Sequence, residues 1–142
     1  MTPFSKVYDA FLNKILEDEW TFWDQHEVEK DLRGLLMGAI PNFKFPKVSL
    51  EFNEQNQFLG DLSNSEIQIL ATYMKREWLN RSILTWENIK PLYEEKDFSP
   101  GNLLDKLTKL LENTEKYAEK LESKYYRSRG GKPFDYSKLA GN

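Results

Sequence analysis

The chain has 142 residues, of which 39% are hydrophobic and 30% charged, with a formal net charge of −3. That size and balance predict one folded domain burying roughly 68–70% of its unfolded surface, exclude wholesale disorder and make no general case for nucleic-acid binding. The absence of cysteine removes disulfides and thiolate metal sites. With no apolar run near the roughly 20 residues of a membrane span and no charged-then-apolar leader, a soluble chain retained where it is made is expected.

Thr2 and Pro3 read as a helix start, a capping hydroxyl followed by a first-turn proline. Phe4, Val7, Tyr8, Phe11, Leu12 and Ile15 follow at i, i+3, i+4 spacing and define one apolar face. Glu17, Asp18 and Glu19 oppose the negative end of the helix dipole, so the helix should fade there. Trp20, Phe22 and Trp23 are expected to pack back onto the core. Asp24 stands where it would cap a second helix, with Val28, Leu32, Leu35, Leu36 and Ala39 inward and Pro41 as its stop.

From Phe43 to Phe52 the period changes. Val48, Leu50 and Phe52 alternate with Lys47, Ser49 and Glu51, which predicts a half-buried strand, and Pro46 confines it to an edge or a strand start. A lone strand is not stable, so its partner lies either within the loop before Gly60 or on a neighbouring subunit.

Ser63-Asn64-Ser65-Glu66 is a capping box. The helix it opens carries Ile67, Leu70, Ala71, Met74 and Trp78 on one face and is predicted to reach Asn80 or Arg81. Thr85 to Lys90 reads as a short helix or turn before Pro91, and Tyr93 to Asp97 as a polar connector. Ser99-Pro100 opens a last helix running to Ser128, about 40 Å long and expected to form the spine of a bundle. Leu104, Leu107, Leu111, Thr114, Ala118, Leu121 and Tyr125 make a heptad-like seam, which Leu103, Leu110 and Tyr117 widen. Asp105 with Lys109 and Glu112 with Lys116 are spaced for ion pairs worth about 0.2–0.5 kcal/mol each. The fold class read from this is mainly α: a helical bundle with a long C-terminal helix, a small β element and an extended C-terminal tail. Residues 1–131 form the helical domain and 132–142 the tail.

Lys132-Pro133-Phe134-Asp135-Tyr136-Ser137-Lys138-Leu139 has no core of its own, and a tail of that kind should fray unless tied down. Phe134, Tyr136 and Leu139 sit at near-alternating positions, as anchors for a groove on another chain would. Arg127, Arg129 and Lys132 would meet an acidic surface, and Gly130-Gly131 reads as a helix C-cap and hinge. Charge is also segregated along the chain. Asp9 to Asp31 holds eight acids against two lysines, and Lys124 to Asn142 five bases against Asp135. Such an acidic front and basic back suit head-to-tail contact between identical copies, although two solvated faces would read the same way.

Catalytic constellations are missing from the sequence. His26 is the only histidine and lacks the second His or Cys of a zinc set. Gly130-Gly131-Lys132 lacks P-loop spacing and follows a helix. Carboxylates occur as runs on helix faces rather than as a convergent pair, so neither a cofactor nor an enzyme is expected. Trp20, Trp23, Trp78 and Trp86 suit an aromatic core better than a ligand cage. Bases beside Tyr125, Tyr126 and Phe134 leave a second reading open, a nucleic-acid arm.

The stretches Asp61–Ala71, Leu84–Tyr93 and Lys132–Gly141 resemble small structural proteins of tailed bacteriophages and of prophages in Gram-positive bacteria. More broadly, the order of elements resembles the phage head–tail connector (adaptor) family over most of the chain. The resemblance implies a structural virion protein at the head–tail junction, made in the host cytoplasm and forming a ring, commonly of twelve copies, in the neck. Its implied partners are the portal protein, neighbouring copies of itself and tail or stopper proteins. By position in the family pattern, the segment after the last helix would dock onto the portal. DNA would pass through without specific binding, and no membrane is involved. The alternative from another class is a DNA-associated helical packaging or regulatory protein.

Overall fold

The structure, a computed structural model, describes residues 1–15, 25–89 and 100–127, with side chains described outside 25–27, 86–89 and 100–103. The described elements are β1 (Thr2–Pro3), α1 (Phe4–Lys14), α2 (Gln25–Ala39), a 3-10 turn (Ile40–Asn42), β2 (Gln57–Phe58), α3 (Asn64–Ile89) and α4 (Pro100–Tyr126). The protein is mainly helical with one small two-stranded antiparallel sheet. The expected positions of Trp20, Phe22, Trp23, Asp24, Ser99 and the 93–97 connector lie outside the described residues.

α1 buries Phe4, Val7, Phe11 and Ile15, with Tyr8 and Leu12 partly buried beside them. That is the face its spacing predicts. Its start differs from the expectation. Pro3 is the N-cap, no side chain caps the helix, and Thr2 is a strand residue paired with Phe58. The Thr2 hydroxyl is instead buried in a tertiary joint, donating to the Gly60 carbonyl (3.1 Å) and accepting from the Leu62 N–H (2.9 Å). Burial of that hydroxyl requires both bonds.

α2 turns Leu32, Leu35, Leu36 and Ala39 into the core and gives way to the 3-10 turn that contains Pro41. The strand predicted over 43–52 is reduced to a single bridge, Phe52 to Phe58. Half-burial at Val48 and Leu50 keeps the predicted alternation, and β2 pairs with β1 on its other side. The question of its partner is settled within the chain: Asn53 N–H donates to the Gln57 carbonyl and Leu59 N–H to the Glu51 carbonyl, both at 2.9 Å. At the turn, Asn53 Oδ1 accepts from the N–H groups of Gln55 and Gln57. Asn56 takes a left-handed φ of 58°, a conformation that asparagine tolerates better than most residues.

The capping box at α3 forms as predicted, with Ser63 N–H donating to Glu66 Oε1 (2.7 Å) and Glu66 N–H to Ser63 Oγ (3.3 Å). The helix then overruns its expected end near Asn80 and takes in the Thr85–Ile89 segment. Nothing between Arg81 and Thr85 breaks a helix, and Ser82 turns its hydroxyl back onto the Trp78 carbonyl (2.8 Å). α3, rather than α4, is also the spine, because α1, α2 and α4 all pack on it. Its buried residues, Ile69, Leu70, Ala71, Thr72, Met74 and Leu79, therefore lie around much of its circumference.

α4 lies along α3 through Thr114, Ala118 and Tyr125 of the predicted seam, with Leu121 partly buried on the same core. Leu110 and Tyr117 do not widen that seam; they are 46% and 47% exposed. Neither expected pair along the helix, Asp105–Lys109 or Glu112–Lys116, closes to ion-pair distance among the described residues. The salt bridge on this helix runs between helices instead, from Arg76 Nε to Glu115 Oε1 at 3.0 Å.

Candidate interaction surface

The end of α4 is fastened to the body chiefly through Tyr125. Tyr125 is buried, and its ring meets Phe43 edge-on with centroids 5.3 Å apart. Its hydroxyl donates to Glu66 Oε2 (2.7 Å) and accepts from the Lys47 N–H (2.6 Å). Glu66 is itself 3% exposed, so one carboxylate both caps α3 and tethers the end of α4. Burial, then the bond to Glu66, pushes the Tyr125 hydroxyl pKa well above its ordinary value.

Lys47 completes the joint from the 43–52 segment. Its ammonium donates to the Tyr125 carbonyl (2.8 Å) and sits 4.6 Å from the Tyr125 ring centroid. A cation there satisfies one of the carbonyls left free at a helix end and opposes the dipole's negative pole. One turn back, the Tyr73 hydroxyl donates to Glu122 and ties α3 to α4 again.

Outside this joint the surface is aromatic, with the Glu122 carboxylate against the Tyr126 hydroxyl. Phe45 is 71% exposed and Tyr126 is 42% exposed, and their rings meet edge-on at 6.3 Å. Tyr126 stacks on Tyr125 at 5.6 Å. Lys44, Lys124 and Arg127 are exposed nearby in the chain. Large apolar rings held open to water at the rim of a rigid joint are the composition of an interface anchor.

Of the residues the sequence nominates, Arg127 lies here, one residue past α4, with its N–H donating to the Ser123 carbonyl (3.2 Å). Arg129, Lys132, Phe134, Tyr136 and Leu139, and the hinge at Gly130 and Gly131, lie outside the described residues. The sequence reading places Lys47 on the solvent side of the 43–52 alternation, as found, but does not single out the exposed Phe45 or the bond from Lys47 to the end of α4. The signal was present: alternating rings and bases immediately before and after a proline that blocks a ladder.

Among the described residues no group of three or more His, Cys, Asp or Glu side chains could hold a metal ion, and no helix is long and apolar enough to cross a membrane. His26 lies in the first turn of α2. Trp78 is partly buried against the core, as expected of a packing tryptophan. No family model matches the chain, and no curated protein or solved structure is significantly similar to it.

Proposed function

We propose that this protein is a structural assembly subunit, a ring-forming connector of a phage neck, that docks onto its portal partner through the end of α4 and the residues beyond it. The observation that carries this reading is the exposed Phe45–Tyr126 pair on the Tyr125–Glu66–Lys47 joint. An immobile base of this kind lowers the entropic cost of docking whatever it presents. Lys44 and Arg127 give it a basic rim, suited to an acidic surface around an apolar groove. Phe134, Tyr136 and Leu139 would fill that groove, while Arg129 and Lys132 would extend the basic rim.

The test is co-purification with a phage portal protein. Deleting residues 132–142 is expected to leave helicity and melting almost unchanged while abolishing capture. Phe45→Ser combined with Tyr126→Ser is expected to weaken capture by an order of magnitude or more, the scale of a lost aromatic anchor. Undiminished capture by the deletion, or loss of the fold on making it, overturns the proposal.

A further inference from the structure

The outer side of α4 carries a second surface. Leu110 and Tyr117 are seven residues apart, two helical turns, and so lie on one line along the helix. Lys106, Lys120 and Lys124 fall beside that line on its solvent side, all exposed, spanning about 27 Å at the helical rise. None of the three is in an ion pair among the described residues. Lys14 of α1 reaches over Tyr117, its ammonium 5.4 Å from the ring centroid, and makes the line more positive still. In a chain of net charge −3, this is a concentrated basic and apolar strip.

A strip of opposite sign lies on the mini-sheet. Phe58 of β2 points inward and is fully buried, so its strand neighbour Leu59 points out and is 47% exposed. Glu51 lies across from Leu59, joined through the Leu59 N–H bond to the Glu51 carbonyl. Met1, 67% exposed, and the exposed Glu54 at the turn flank them. Asp61 is held by the Met1 ammonium at 2.6 Å with Lys6 beside it, and Arg33 is turned to Asn56 and the Phe52 ring on the other side of the hairpin. The negative charge of the patch therefore comes from Glu51 and Glu54, neither of them in an ion pair among the described residues.

We infer that the α4 strip of one copy docks on the mini-sheet patch of a second copy, Leu110 and Tyr117 against Leu59 and Met1, with Lys106, Lys120 and Lys124 opposite Glu51 and Glu54. This inference deepens the connector reading and rests on it, by naming the two unlike faces a ring contact requires. Because the faces differ, the contact is heterologous and propagates from copy to copy until rotation closes it. Pairing α4 with α4 across a twofold axis is disfavoured, since it would bring the lysine rows together. The hairpin offers both the apolar and the acidic half of the match.

The experiment mixes light and nitrogen-15-labelled full-length chains, couples carboxyl to amine groups with a zero-length carbodiimide, and reads the crosslinked peptides by mass spectrometry. Pairs joining Lys106, Lys120 or Lys124 to Glu51 or Glu54 are expected, with mixed-label forms at the proportion set by random pairing. Lys106→Glu with Lys120→Glu should abolish these crosslinks and the self-association seen by sedimentation. Glu51→Lys with Glu54→Lys should do the same, and mixing the two reversed variants should restore both. Crosslinks confined to single-label pairs, a wild-type chain that stays monomeric at millimolar concentration, or retardation of duplex DNA by the lysine face without copy-to-copy crosslinks would each overturn it. Portal capture is a separate readout, so failure here and failure of the tail-docking reading remain distinguishable.

Discussion

α3 and α4 are nearly the same length, 26 and 27 residues, and lie side by side, yet they are built to opposite plans. α3 is wrapped by three helices and carries apolar residues around much of its girth. α4 packs on one side only, through Thr114, Ala118, Leu121 and Tyr125, and gives the rest of its circumference to ordered rows of lysine, acid and apolar side chains. The difference teaches that one-sided patterning reports how many neighbours a helix has, not how central it is. A helix touched from three sides loses the clean stripe by which amphipathic helices are recognised.

The sharpest way to break that comparison is to truncate the buried helix. Leu70→Ala and Met74→Ala each remove a fully buried side chain from α3. Each should cost about 2–5 kcal/mol, the usual range for such cavities, as measured by denaturant unfolding with an unchanged m-value. A loss below 1 kcal/mol at both sites would mean α3 is not the packed spine.

The next effect lies at the joint between the two helices. Tyr125→Phe keeps the ring against Phe43 but removes the hydroxyl that Glu66 accepts from and Lys47 donates to. One side of a buried carboxylate and one backbone N–H then lose their partner. A destabilisation of roughly 1–3 kcal/mol is expected from unsatisfied groups of this kind, with Glu66→Gln on the Tyr125→Phe background adding less than it does alone. Additive losses would show that the two side chains do not act as one unit.

The legibility of the molecule follows the same division. Local rules carried α1, α2 and the capping box because each is decided within a few residues: Phe4 to Ile15 by spacing, Ile40–Asn42 by Pro41, Ser63 and Glu66 by reciprocal bonds. Long-range choices were not readable. Thr2 has the chemistry of a cap, but Gly60 and Leu62 compete for its hydroxyl from 58 and 60 residues away. The alternation holds at Val48 and Leu50 but not at the exposed Phe52, and a two-residue N-terminal strand takes the ladder position beside Phe58. The sequence predicts too early an end for α3 because its apolar residues change face after Trp78. At the candidate surface, the heptad seam was legible down to Tyr125. The exposure of Leu110 and Tyr117 was not, because the sequence does not say which of two adjacent apolar rows finds a neighbour.

Alkaline titration gives a smaller and more distributed test. Burial is the first cause of a raised hydroxyl pKa at Tyr8, pushed up to about 12, and it acts in the same direction on Tyr73 and Tyr125. The folded state therefore holds these protons more tightly than the unfolded chain, whose tyrosines titrate near 10. The contribution of these hydroxyls should be constant below pH 10 and be lost as the pH rises through 10 towards 12, because the unfolded state then releases protons that the folded state retains. Difference absorbance near 295 nm should show a normal tyrosine class and a late one, the late class coinciding with unfolding. A single transition at ordinary pH, with helicity retained, would contradict the buried hydroxyls.

The smallest expected effect is the one that most sharpens the contrast between the helices. Leu110→Ala on α4 removes the same atoms as Leu70→Ala on α3, from a helix of comparable length in the same fold. Leu110 is 46% exposed and Leu70 fully buried, so little apolar area is returned to water and no cavity forms. The change should stay within about 0.5 kcal/mol of wild type, as surface substitutions do, and alanine's better helix propensity offsets part of even that. Its consequence should appear in association instead: weaker sedimentation at a given concentration, with melting of the dilute chain unaltered. A Leu110→Ala cost as large as that of Leu70→Ala would place the outer row in the core and remove the surface on which the copy-to-copy contact depends.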